Sequence, residues 1–123
     1  MRKTLPLLSL IAACAPQPEV PRAVSLGPAP LAAQIRAQRP EGCAGQGAGG
    51  WFAAVCPEAL TPGVVAPLQR ALAARGLYRG PVTGRMDGPT RAAVAAWQGP
   101  RGLDSETLSI RAAQELGVIP WLD

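Results

Sequence analysis

The chain has 123 residues, a formal net charge of +4 and no histidine, enough for one small domain and little more. Without histidine, Ser-His-Asp and Cys-His nucleophilic catalysis and any mixed cysteine–histidine zinc site are excluded. Charged residues make up only 16%, and the absence of any arginine run or aromatic–basic interleaving speaks against nucleic acid as a partner.

The chain opens with Arg2 and Lys3, followed by an apolar run from Leu5 to Ala13 and then Cys14. That is the order of a secretory signal, and the run falls far short of the ~20 apolar residues of a membrane span. Ile11-Ala12-Ala13-Cys14 resembles the processing box of bacterial lipoproteins. The resemblance implies removal of residues 1–13 and fatty acyl groups, palmitate among them, on Cys14. Each buried acyl methylene contributes ~0.8 kcal/mol, so two or more chains make a stable membrane anchor. Ala15 stands where an inner-membrane lipoprotein often carries aspartate, which favours the periplasmic face of the outer membrane. An ordinary cleaved signal that happens to contain a cysteine is the alternative.

Residues 14–42 hold repeated proline and alanine, including Pro16, Pro18, Pro21, Pro28 and Pro30. Proline removes backbone donors and blocks helices, so the stretch reads as a disordered, extended tether, with a short helix over Leu31 to Gln38. Residues 43–59 form a neck. In an oxidising compartment Cys43 and Cys56 are the pair left for a disulfide, worth ~3 kcal/mol for a loop of this length. Two free thiols or a metal half-site are the alternatives. Between them Gly45, Gly47, Gly49 and Gly50 precede Trp51-Phe52, which reads as a small lid on the following domain or as a ligand-stacking platform.

Residues 60–120 form the compact part, predicted as three short helices joined by Gly-rich turns, an all-α fold. Thr61-Pro62 suits a helix start, Val64, Leu68, Ala71 and Leu72 share one face, and Gly76 is the stop. Pro67 is expected to kink the first turn or separate it. Asp87-Gly88-Pro89-Thr90 opens a second helix with Val94 and Trp97 inward, closed by Gly99-Pro100. A third begins near Ser109, with Ile110 and Ala113 inward and Gly117 after it. The turns at Gly84 and around Asp104 are candidates for a brief extended pairing.

Leu68-Gln69, Leu72, Gly76, Tyr78, Gly80, Gly84, Thr90, Ala93-Val94, Trp97-Gln98 and Gly102-Leu103 follow the order and spacing of the peptidoglycan-binding-like domain. The resemblance spans Leu60 to Gly117, placing that domain at the C-terminal end. Thr83 replaces the usual aspartate of an Asp-Gly turn, Met86 takes an aromatic or apolar slot, Asp87 replaces glycine, Trp97 replaces phenylalanine, and the loop 104–109 is shortened. The resemblance implies a peptidoglycan-binding site whose candidates are Tyr78, Arg79, Thr83, Arg85 and Arg101, in loops around the helix ends. Tyrosine stacks on a sugar face while donating a hydrogen bond, and arginine pairs with stem-peptide carboxylates through its planar fork.

No catalytic residue, metal or cofactor is expected. Asp104 and Glu106 are two loop carboxylates without a cleft, too little for glycosidase chemistry. The expected function is a non-catalytic envelope lipoprotein linking peptidoglycan to the outer membrane. The competing expectation is a lipoprotein whose diverged fold docks on an envelope enzyme or assembly partner through Trp51-Phe52 and the tail 120–123.

Overall fold

The computed structural model describes residues 4, 31–47 and 49–121; the expected acylation site, Cys14, lies outside them. Helix α1 runs unbroken from Pro62 to Ala74, with Pro67 inside it. Pro62 sits in the first turn, where its missing N–H has no intrahelical partner to lose. The buried face is Val65, Leu68, Gln69 and Leu72, so Val65 takes the inward place expected of Val64. Gly76, at φ +73°, closes the helix: its N–H donates to Ala73 O at 3.0 Å and that of Leu77 to Leu72 O at 3.0 Å. This double closure by a left-handed glycine and a following apolar residue recurs at Gly102-Leu103 and Gly117-Val118.

Helix α2, Gly88–Gln98, starts on Asp87, whose carboxylate accepts from Thr90 N at 3.0 Å. It continues into a 3-10 turn, Gly99–Arg101. Helix α3, Ile110–Glu115, starts on Ser109, whose Oγ accepts from Ala112 N at 2.9 Å. Its buried residues are Ala112 and Ala113, while Ile110 is only partly covered.

The all-α expectation is overturned by the neck. Strands β1, Ala44–Gly47, and β2, Gly50–Ala53, form an antiparallel hairpin pairing Ala44 with Ala53, Gly45 with Phe52 and Gln46 with Trp51. The alternating apolar signal of a strand is absent because glycine fills positions where other sheets place side chains. A Cβ on Gly45 would collide with the Phe52 ring, and one on Gly50 would lie 2.6 Å from Arg36 O. The glycines are therefore room for Phe52 and the adjoining backbone. The turns at Gly84 and Asp104 belong to no strand; the extended contact at this end is instead an isolated bridge between Ala54 and Ser109.

The Cys43–Cys56 disulfide, with Cα atoms 5.2 Å apart, closes the base of the hairpin. Packing also begins earlier than the proline pattern indicates. Leu31, on a 3-10 turn Leu31–Gln34, is fully buried, and Arg36 exchanges backbone hydrogen bonds with Trp51 at 2.7 and 2.8 Å. The core joins Leu31 and Phe52 to Leu68, Leu72, Val94, Trp97, Leu103 and Leu108. Phe52 is thus a core residue, while Trp51 stays half-buried with the Arg39 guanidinium 5.7 Å from its ring centre.

Candidate functional site

The connection from α1 to α2 is organised by one buried side chain. Gln69 Oε1 accepts from Thr83 N at 2.9 Å and Gly84 N at 3.0 Å. Its Nε2 lies 3.0 Å from Thr90 Oγ1, 3.1 Å from Thr83 Oγ1 and 3.1 Å from Arg85 O. The Thr90 hydroxyl in turn donates to Asp87 Oδ1 at 2.6 Å. Core, loop and the N-terminus of α2 thereby share one polar network, in which each bond polarises the next. The hydrogen bonds from the Thr90 side chain and backbone, with Arg91 nearby, hold the Asp87 carboxyl below its ordinary value.

Gln98 repeats the device at the end of α2. Its Oε1 accepts from Ser109 N at 3.0 Å, and its Nε2 donates to Ser105 O at 2.8 Å and Thr107 O at 3.0 Å. Two glutamines, each buried on a helix, thus fix the backbone of the loop that follows.

The five candidate contact residues separate in space and role. Tyr78 is buried, its hydroxyl donating to Pro81 O at 2.6 Å, and its ring passes so close to Gly80 that a Cβ there would lie 2.8 Å from the phenolic oxygen. A ring enclosed in this way has no face left for a sugar. Thr83 is exposed, but its Oγ1 accepts from Arg85 N at 3.2 Å as well as from Gln69; it shapes the turn. Arg101 stacks 3.9 Å over Trp97 and donates to Trp97 O at 2.6 Å. It lies beyond the far end of α2, roughly 16 Å along the axis at about 1.5 Å per residue. Arg79 and Arg85 remain, both exposed in the loop that Gln69 holds, with Val82 exposed between them.

Beside this loop is a groove of about 230 Å³, walled by Val55, Leu60, Met86, Arg91, Glu106 and Leu108. Arg91 Nε and Glu106 Oε1 are 3.9 Å apart, both largely exposed, so the pair adds little stability. Arg91 also donates to Met86 O at 2.8 Å, which fixes its stem at the groove wall. An apolar floor with a guanidinium at its edge suits a ligand that combines carbon-rich rings or side chains with carboxylates. Sequence reasoning missed Arg91 and Glu106 as neighbours, since they approach only when the shortened loop 104–109 folds back. The one signal for Arg91 is its place in the first turn of α2, four residues after the capping Asp87.

Of the apolar surface expected to dock a protein partner, Phe52 is buried and Trp121 is exposed. Residues 62–107 match the family model described as Putative peptidoglycan binding domain. The match takes in α1, the Gln69-held loop, α2 and most of the second loop. It ends before α3, so the matched domain is internal and not C-terminal. Neither a curated protein nor a solved structure matches the chain. The family match suggests peptidoglycan binding.

Proposed function

We propose that this chain is a non-catalytic wall-binding lipoprotein: it grips peptidoglycan through the loop that carries Arg79 and Arg85, and acyl chains on Cys14 hold it to the outer membrane. The observation that carries this reading is the family match over residues 62–107. Its support in the chemistry is the exposure of the two loop arginines on a backbone fixed from within, next to an apolar groove. A preorganised loop loses little freedom on binding. Affinity per copy is expected to be low. Many anchored copies facing a repeating polymer compensate through effective concentration, provided that the proline-rich segment can reach it.

Co-sedimentation of the full chain with purified sacculi at physiological salt tests this reading, with Arg79→Ala and Arg85→Ala in parallel. Sedimentation that both substitutions weaken is the expected result. Sedimentation untouched by either keeps the function and discards the loop. Failure of a folded protein to sediment sinks wall binding and makes docking on an envelope protein, with Trp121 in contact, the better reading. Fatty-acid labelling that Cys14→Ser abolishes is the expected outcome for the anchor.

A further inference from the structure

A second cavity, of about 320 Å³, is built by residues outside the matched span of 62–107. Gln34, Arg36 and Phe52 contribute from before it, and Ile110, Arg111 and Gln114 from after it. Two arginines and two glutamines are among the residues that line this space, and among the described residues no acidic one is. Arg36 uses Nη1 on Ala33 O at 2.7 Å and Ile35 O at 3.2 Å, and its other nitrogens make no protein hydrogen bond among the described residues. Arg111 rests 5.1 Å from the Trp121 ring centre, with no ion pair among the described residues. Glu115, one turn further along α3, is not in the lining; burial pushes its carboxyl above the ordinary value, while Arg111 and Arg101 pull it back down.

A separate observation also calls for an acceptor. Gln34 Nε2 is closed to solvent and has no hydrogen-bond partner. A buried N–H without an acceptor is costly and rare in folded proteins. Rotation of the Gln34 amide toward the cavity would offer that donor to an anionic oxygen beside Arg36 and Arg111. The apolar walls, Pro40, Ala53 and Ile110, then select an anion borne on a small carbon skeleton over a free inorganic ion. The size lies at the lower end of small-molecule pockets, roughly 300–1,000 Å³.

We propose that this cavity binds the free carboxylate end of a short peptide with small apolar side chains, and that its source is a peptidoglycan stem peptide. The source rests on the wall-binding reading above; the carboxylate chemistry does not.

Calorimetric titration of the full chain with N-acetyl-D-alanyl-D-alanine and with its C-terminal amide tests the proposal. The acid is expected to bind at least about tenfold more tightly than the amide, because only the acid supplies a charged fork partner. Arg36→Gln and Arg111→Gln should each weaken the acid by about tenfold while the melting temperature stays put. Gln34→Met should weaken the acid too, yet raise the melting temperature, because it removes a donor that the free protein leaves unpaired. A purely structural Gln34 would give the opposite thermal shift. No binding of the acid, or equal binding of acid and amide, overturns the site. Preference for the L,L-dipeptide overturns the wall as source and favours a protein C-terminus. Sacculus sedimentation on the same samples separates the two readings: if it persists while the acid fails to bind, only this cavity is discarded.

Discussion

Replacing Gln69 by methionine keeps the length of the side chain and removes its whole hydrogen-bonding capacity. Two backbone donors, Thr83 N and Gly84 N, lose the Oε1 they share at 2.9 and 3.0 Å, and Arg85 O and Thr90 Oγ1 lose Nε2. Gly84 is buried, so its N–H stays dry; an orphaned group of that kind costs ~1–3 kcal/mol. Thr83 is exposed and recovers water, which places its share near the low end. The sum is about 2–4 kcal/mol. In a domain of this size 1 kcal/mol moves the melting temperature by roughly 4–8 °C, so a fall of roughly 8–32 °C is expected. Thermal melting and urea unfolding measure it, and amide exchange at Thr83 and Gly84 should accelerate with it. Gln98→Met leaves one buried donor, Ser109 N, and should cost less. A loss below about 1 kcal/mol, or unchanged exchange at Thr83 and Gly84, would refute the claim that Gln69 holds the loop.

The Cys43–Cys56 bridge, thirteen residues apart in sequence, should contribute ~3 kcal/mol by restricting the unfolded chain. Cys43→Ser with Cys56→Ser, or a reductant on the natural chain, should lower the melting temperature; no change by either route removes the bridge from the stability argument. The Asp87 carboxyl titrates below its ordinary 3.8 in the folded protein, so its contribution is present above that pH and is lost as pH falls through the folded value. Asp87→Asn should therefore flatten the acid limb of a urea-midpoint titration, and an unaltered limb would contradict the capping network. A fragment of residues 62–107 should show no cooperative melting, whereas residues 31–121 should melt in one transition. Cooperative folding of the shorter piece would show that the flanks are dispensable.

The helices were legible because their signals are local. Pro62, Asp87 and Ser109 mark starts that need only a proline or a capping oxygen, and Gly76 and Gly117 mark stops that need a positive φ. Pro67, the sixth residue of α1, forfeits the bond that its N–H would make to Gly63 O, yet it does not separate the first turn, because the buried face of Val65, Leu68, Gln69 and Leu72 packs on both sides of it. The hairpin was illegible for the opposite reason. Its glycines serve as spaces for Phe52 and for neighbouring backbone, and a space is defined by residues remote in sequence. Leu31 was hidden likewise, since the prolines that precede it describe their own backbone and not the burial of the residue they deliver. In the site, residue type pointed to Tyr78 and Arg101, whereas exposure depends on packing. Tyr78 lies under Gly80, and Arg101 is taken up by Trp97. Arg79 and Arg85 are the candidates whose reach to solvent agrees with the sequence expectation of loop arginines.

The two glutamine-held loops share a construction but carry opposite charge. The first presents Arg79 and Arg85, the second Asp104 and Glu106, and all four are exposed. A polymer bearing carboxylates is drawn to the first loop and repelled by the second. Surface charges are screened over about 8 Å at physiological ionic strength, so this contrast acts only at close approach and fixes orientation and encounter rate more than final affinity. Arg91, on α2 between the loops, touches the acidic side through Glu106 at 3.9 Å. That contact is long and exposed, so a ligand carboxylate entering the groove can replace Glu106 at little cost. The rigid backbone behind each loop keeps the two charges apart when the ligand is absent. On the wall-binding reading proposed above, orientation is built in by the same buried glutamines that stabilise the fold, and the loop carrying Arg79 and Arg85 need not be ordered by its ligand.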